Sequence, residues 1–167
     1  MGSRPDAPDC CAPAADPQIA RDFDARYEGW TPEEGFPDLV DVSGVILDLV
    51  RDAALRRPSV LDLGCGTAAL GVALLEMGAA QLTGVDLSPA SIDLARQRAE
   101  VAGFGDVSAF EVGDGAEIQA TPHDWVVLDR VICCYGDVDG LVARAIRGSA
   151  AGAQQSGASG REPTRRG

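Results

Sequence analysis

The segment Val60-Leu61-Asp62-Leu63-Gly64-Cys65-Gly66-Thr67 restricts the possible folds of this chain more than any other. An apolar run interrupted by one acid reads as a short buried strand. The glycine pair behind it lets the backbone turn sharply, and no Cβ obstructs a ligand approaching the amides of the next helix. A strand that ends this way belongs to a β-α-β unit. The rest of the chain repeats the arrangement.

Residues 16–28 have Ile19, Phe23 and Tyr27 at helical spacing, and Pro and Gly between Trp30 and Pro37 break that pattern. A second helix is expected over 38–56, with Val42, Val45, Ile46, Leu49 and Val50 on one apolar face and Pro58 beyond its end. Strands are then expected at 59–63, 81–85, 107–112 and 124–128. Helices are expected at 68–77, 89–102 and 137–147. Ser88 is placed to cap the helix that opens at Pro89, and Gly78 and Gly103 are placed as stops. Strands alternating with helices of this length predict a Rossmann-like α/β domain. Its parallel sheet has helices on both faces and binds ligand at the carboxyl ends of the strands. Residues 1–15 read as a disordered lead-in and 16–148 as the domain. Residues 149–167, Ala/Gly/Ser/Gln/Arg with no apolar period, read as a disordered tail. The sheet is therefore expected to stop at about four strands.

Composition narrows the class. A chain of 167 residues with 46% hydrophobic and 24% charged residues supports one ordinary globular core, with little left for a separate substrate domain. No apolar run reaches the ~20 residues that span a bilayer, and the first residues lack a signal-peptide core, so a cytoplasmic home is expected. The net charge is −12, and the 14 basic residues are all Arg and scattered apart from Arg161, Arg165 and Arg166. This argues against a nucleic-acid partner, which selects for a basic stripe. Five cysteines without a Cys-x-x-Cys, and a single histidine, His123, predict neither a disulfide framework nor a metal site. The vicinal Cys133-Cys134 reads as small apolar residues near a strand end.

Two further acids turn the glycine motif into a constellation. Asp86 closes the second strand, at a spacing suited to ribose hydroxyls. Asp114 follows the third strand in Val112-Gly113-Asp114-Gly115, within reach of an adenine edge. With Val60–Thr67, Gly84-Val85-Asp86-Leu87-Ser88 and Asp124–Val131, these residues resemble the class I methyltransferases that use S-adenosylmethionine (SAM). The resemblance runs over about residues 17–147.

That resemblance implies SAM as cofactor and transfer of its methyl group to a small-molecule acceptor, with oxygen favoured. It implies cofactor contacts at Asp62, Gly64, Cys65, Gly66, Asp86, Leu87, Asp114 and Gly115. Asp62 would serve the methionine part, Asp86 the ribose and Asp114 the adenine amino group. Asp129 and Tyr135 would face the acceptor, and Tyr27 the methionine end. A short stretch, Val131–Asp137, is similar to the branch of magnesium-protoporphyrin O-methyltransferases. Two departures stand out: Ala68 replaces the family's usual third glycine, and three of the family's seven strands have no counterpart.

Gly64–Ala69 also fits the dinucleotide pattern Gly-x-Gly-x-x-Gly/Ala. A pyrophosphate would be repelled by Asp62, whereas a sulfonium and an ammonium would be attracted. A shortened fragment that binds SAM without catalysis is the other alternative. Taken singly, each acid also reads as an ordinary loop or cap residue.

Overall fold

The protein is described here by a computed structural model covering residues 17–30, 41–52, 56–119 and 121–150. The expectations for 1–15, for the break at 31–37 and for 151–167 lie outside the described residues.

The elements follow in chain order. Helices α1 (Pro17–Tyr27) and α2 (Asp41–Asp52) precede strand β1 (Ser59–Leu63) and helix α3 (Ala69–Glu76). Then come β2 (Gln81–Asp86), α4 (Pro89–Val101), β3 (Ser108–Val112), β4 (Trp125–Val127) and α5 (Val138–Gly148). The strands form one parallel sheet of order β3-β2-β1-β4. Asp62 of β1 lies opposite Gly84 of β2 and Val127 of β4, so β1 is central and shielded on both sides.

Side-chain alternation along the strands sorts the core into two layers, as a period of two requires. Val60, Leu82 and Val127 face α3 and the inner side of α2, meeting Leu70, Leu74 and Leu75. Leu61, Leu63 and Val85 face the other way, onto Leu141 and Ala145 of α5. The helices thus lie on both faces. Helix α3 is apolar nearly all round because α2, α4 and the sheet enclose it, and Gly71 lets it sit close to β2. A Cβ there would come within 2.7 Å of the Leu82 side chain. Ser88 caps α4 as its position predicts, its Oγ accepting from the Ser91 amide at 3.0 Å.

Two elements depart from the sequence expectation. In α2 the packed residues are Ile46, Leu47 and Val50, while Val45 and Leu49 are 60% and 67% exposed. The helix lies along the border between α3 and β4, so only a narrow stripe is covered; Leu47, off the expected face, belongs to it. The side chain of Val42 is outside the described residues. The second departure is at the end of α5, where Ser149 and Ala150 do not leave the body. Ser149 pairs in parallel with His123, and the Ala150 amide donates to the His123 carbonyl at 2.7 Å. The chain returns to the sheet beside the start of β4.

Candidate functional site

The carboxyl ends of β1, β2 and β4 open into one cavity of about 310 Å³, a size suited to a small ligand. Its floor is the glycine turn. Gly64 and Gly66 have φ of +76° and +52°, which β-carbon sterics disfavour. A Cβ on Gly64 would come within 2.5 Å of the Val131 side chain, whereas one on Gly66 would meet nothing within 4 Å. The first glycine therefore admits the segment after β4, and the second opens onto the cavity. Ala68 takes φ of +57° just ahead of α3, so the departure from a third glycine leaves an alanine in the left-handed region.

Helix α1 roofs the cavity with Ile19, Phe23, Arg26 and Tyr27. The i, i+4 spacing legible in the sequence is the face it presents. Asp24, on the same helix, latches it to the N-terminus of α4, accepting from Ser88 Oγ at 2.6 Å and the Ala90 amide at 3.0 Å. No sequence pattern announced this contact.

The acids take distinct positions. Asp62 is 1% exposed, and its Oδ1 is buried with no hydrogen-bond partner among the described residues. Burial, reinforced by the charges of Asp129 and Asp86, pushes its carboxyl up to about 7. Asp86 accepts from the Gly66 amide at 2.8 Å and the Ser88 amide at 2.9 Å, tying the glycine turn to the end of β2. Burial raises its carboxyl, and those two amides oppose the rise. Burial and the neighbouring Asp62 and Asp86 push the Cys65 thiol well up, so it lines the cavity as a neutral, apolar group.

Asp129 also lines the cavity, just beyond β4. It accepts from Ser43 Oγ of α2 at 2.5 Å and from Arg130 Nε at 3.4 Å. Arg130 has φ of +56°, a turn that carries the chain back over Gly64 to Val131.

Leu87, Gly115 and Tyr135 line the cavity as well, so ten of the eleven residues singled out from the sequence, Tyr27 included, meet there. The eleventh, Asp114, does not reach the lining, although its neighbours Gly113 and Gly115 do. Its Oδ1 accepts from the Ala116 amide at 2.8 Å and from the Tyr135 hydroxyl. Burial, and then the bond to Asp114, drive the Tyr135 phenol upward, so it stays a donor. Sequence reasoning missed Ser43, Asp24 and the Tyr135–Asp114 pair. Among the described residues, no group of three or more potential ligands is placed to hold a metal, and no helix is long and apolar enough to cross a membrane.

The site offers an unsatisfied buried carboxylate oxygen, open backbone at Gly66 and a second acid on the neighbouring strand. That donor-poor, acceptor-rich floor suits a ligand bearing a cationic ammonium and hydroxyl groups.

Residues 56–150 match the family described as Methyltransferase domain. The chain is 33% identical over 115 residues to the ubiquinone biosynthesis O-methyltransferase of Neisseria meningitidis serogroup C, covering 66% of this chain and 47% of that protein. It is 44% identical over 52 residues to the ribosomal protein L11 methyltransferase of Aeromonas hydrophila, covering 31% of this chain and 18% of that protein. The chain thus spans about half or less of the length of these curated relatives. Among solved structures, magnesium protoporphyrin IX methyltransferase from Synechocystis PCC 6803 with bound SAH shares the fold, with a TM-score of 0.63 at 22% identity. That match covers 80% of this chain and 67% of the other. The family match takes in the glycine turn, all four strands and α5: the chain belongs to the methyltransferase-domain family, the class I SAM-dependent methyltransferases.

Proposed function

We propose that this chain binds SAM, the cofactor of its family, in the cavity over the glycine turn and transfers the methyl group to a small-molecule acceptor. The single observation that carries the reading is the orphaned Oδ1 of Asp62 beside Gly64 and Gly66. A buried acceptor without a donor is costly, and the cofactor's ammonium would satisfy it. Gly64, Cys65 and Gly66 would lie along the methionine part, with Asp86 and Leu87 toward the ribose. Asp114 and Gly115 would serve the adenine. A dinucleotide is disfavoured, because its pyrophosphate would face Asp62, Asp86 and Asp129.

Methyl transfer to a heteroatom is an in-line displacement governed largely by positioning. In this reading Asp129, held by Ser43, would face the acceptor and take up the proton that the acceptor gives off on methylation. Oxygen is the favoured acceptor atom. Relatives matched over about two thirds of this chain are named O-methyltransferases, whereas the ribosomal-protein enzymes match over shorter stretches, of 52 to 94 residues. The roof of α1 suits a small acceptor better than a protein surface, and the charge of −12 suits neither nucleic acid nor an anionic membrane. A cytoplasmic home, expected from the sequence, is part of the same proposal.

Titration calorimetry with S-adenosylhomocysteine (SAH) tests the reading. Micromolar binding by the wild type, weakened about tenfold or more in Asp86→Ala, is expected. Absence of binding at millimolar SAH, or binding indifferent to Asp86→Ala, would sink it. A second reading, a fragment that binds SAM without turnover, is favoured by the limited share of its relatives' length that the chain spans. It predicts SAH binding with no methylated product across a broad screen of acceptors.

A further inference from the structure

The Tyr135–Asp114 pair joins two segments that the sheet keeps apart. Asp114 follows β3 at one border, and Tyr135 follows β4 at the other. Tyr135 is 5% exposed and packed among Leu63, Val85 and Leu141, so its ring is fixed. Its hydroxyl has one proton, which it donates to Asp114 Oδ1. The Ala116 amide donates to the same oxygen. Two donors from two segments on one oxygen remove the rotational freedom of the carboxylate and set the direction of Oδ2. On either side of Asp114 the cavity wall is Gly113 and Gly115, bare backbone that a flat base can approach.

We propose that Tyr135 is a positioning residue for the nucleobase, orienting Asp114 so that the site accepts a 6-aminopurine and discriminates against a 6-oxopurine. The inference rests on the cavity being the SAM site, and it moves Tyr135 from the acceptor side to the nucleoside side. The chemistry is one of donors and acceptors. An ionised carboxylate only accepts, so an exocyclic amino group satisfies it and a carbonyl in the same place opposes it. A carboxylate free to rotate loses that distinction.

The test is calorimetry with SAH and with S-inosylhomocysteine, which carries a 6-oxo group, on wild type, Tyr135→Phe and Asp114→Asn. The wild type is expected to prefer SAH by ~10-fold or more, the range of one hydrogen bond to a charged group. Tyr135→Phe should narrow that preference to about threefold while leaving the affinity for the inosyl compound within about twofold. Asp114→Asn should abolish the preference. A Tyr135→Phe protein that keeps the full preference, or that loses both ligands equally as a packing defect would, overturns the proposal. If Tyr135→Phe does not fold, Asp114→Asn decides, and an undiminished preference there overturns it too. Failure of the wild type to bind either nucleoside refutes the cofactor reading itself, and this inference with it. Wild-type SAH binding with the ratio intact in Tyr135→Phe refutes only the inference.

Discussion

If Asp62 receives the cofactor's ammonium as proposed, cofactor capture should depend on pH. Its carboxyl stands at about 7 against an ordinary value of 3.8, because it is buried and faces the charges of Asp129 and Asp86. A cationic ligand binds the ionised form, so the apparent association constant should scale with the fraction of Asp62 that is ionised. From pH 6 to pH 8 that fraction rises from about a tenth to about nine-tenths, so SAH affinity should climb about tenfold and then level off. At pH 7 about half a proton should be released per SAH bound, which calorimetry in buffers of different ionisation enthalpy measures directly. Asp62→Asn should flatten the pH profile and weaken binding at pH 8 by ~10-fold or more. Asp86, also raised by burial, is the competing source of any slope, and the Asp62→Asn profile separates the two. A flat wild-type profile, or an unchanged slope in Asp62→Asn, would refute the reasoning.

The same group governs stability in the absence of ligand. A carboxyl raised in the folded state imposes no penalty below its unfolded value of 3.8, and its penalty grows as pH rises toward 7. Well above pH 7 the full penalty is about 4 kcal/mol, so Asp62→Asn should stabilise the ligand-free protein at pH 8 more than at pH 5, by about 2 kcal/mol in chemical denaturation. Asp24→Ala should unlatch α1, costing about 1–2 kcal/mol in the same assay and speeding SAH dissociation. Gly71→Ala should cost about 1–3 kcal/mol by driving a methyl into Leu82, and a neutral outcome would mean that α3 slides freely on the sheet.

Much of this molecule is written in local chemistry. Apolar runs bounded by glycine located every strand within about two residues, and Ser88-Pro89 marked the start of α4, because turns and caps depend on residues close in sequence. The floor of the cavity was legible for the same reason: acids that end parallel strands converge wherever the sheet places those ends. What stayed hidden depends on packing between distant segments. Ser43 meets Asp129 across 86 positions, and Asp24 meets Ser88 across 64. No periodicity encodes either pairing. The exposed Val45 and Leu49 show the converse, since an apolar face specifies burial only when a neighbouring layer is there to cover it. At Ser149 the composition of the tail concealed two residues that still pair with His123, because backbone hydrogen bonds demand no apolar side chain.

The contact between Gly64 and Val131 carries a consequence for how such a site can change. The glycine turn and the segment after β4 are not separate modules, since the second rests on the space left by the missing Cβ of the first. A larger residue at position 64 would press on the stretch that carries Asp129 and Arg130 and at the same time strain the turn at its φ of +76°. A bulkier residue at position 131 would press on the turn from the other side. In the proposed reading, acceptor preference and cofactor affinity therefore share one mechanical degree of freedom. Selection for a new acceptor through this segment would register first as a shift in the affinity for SAM.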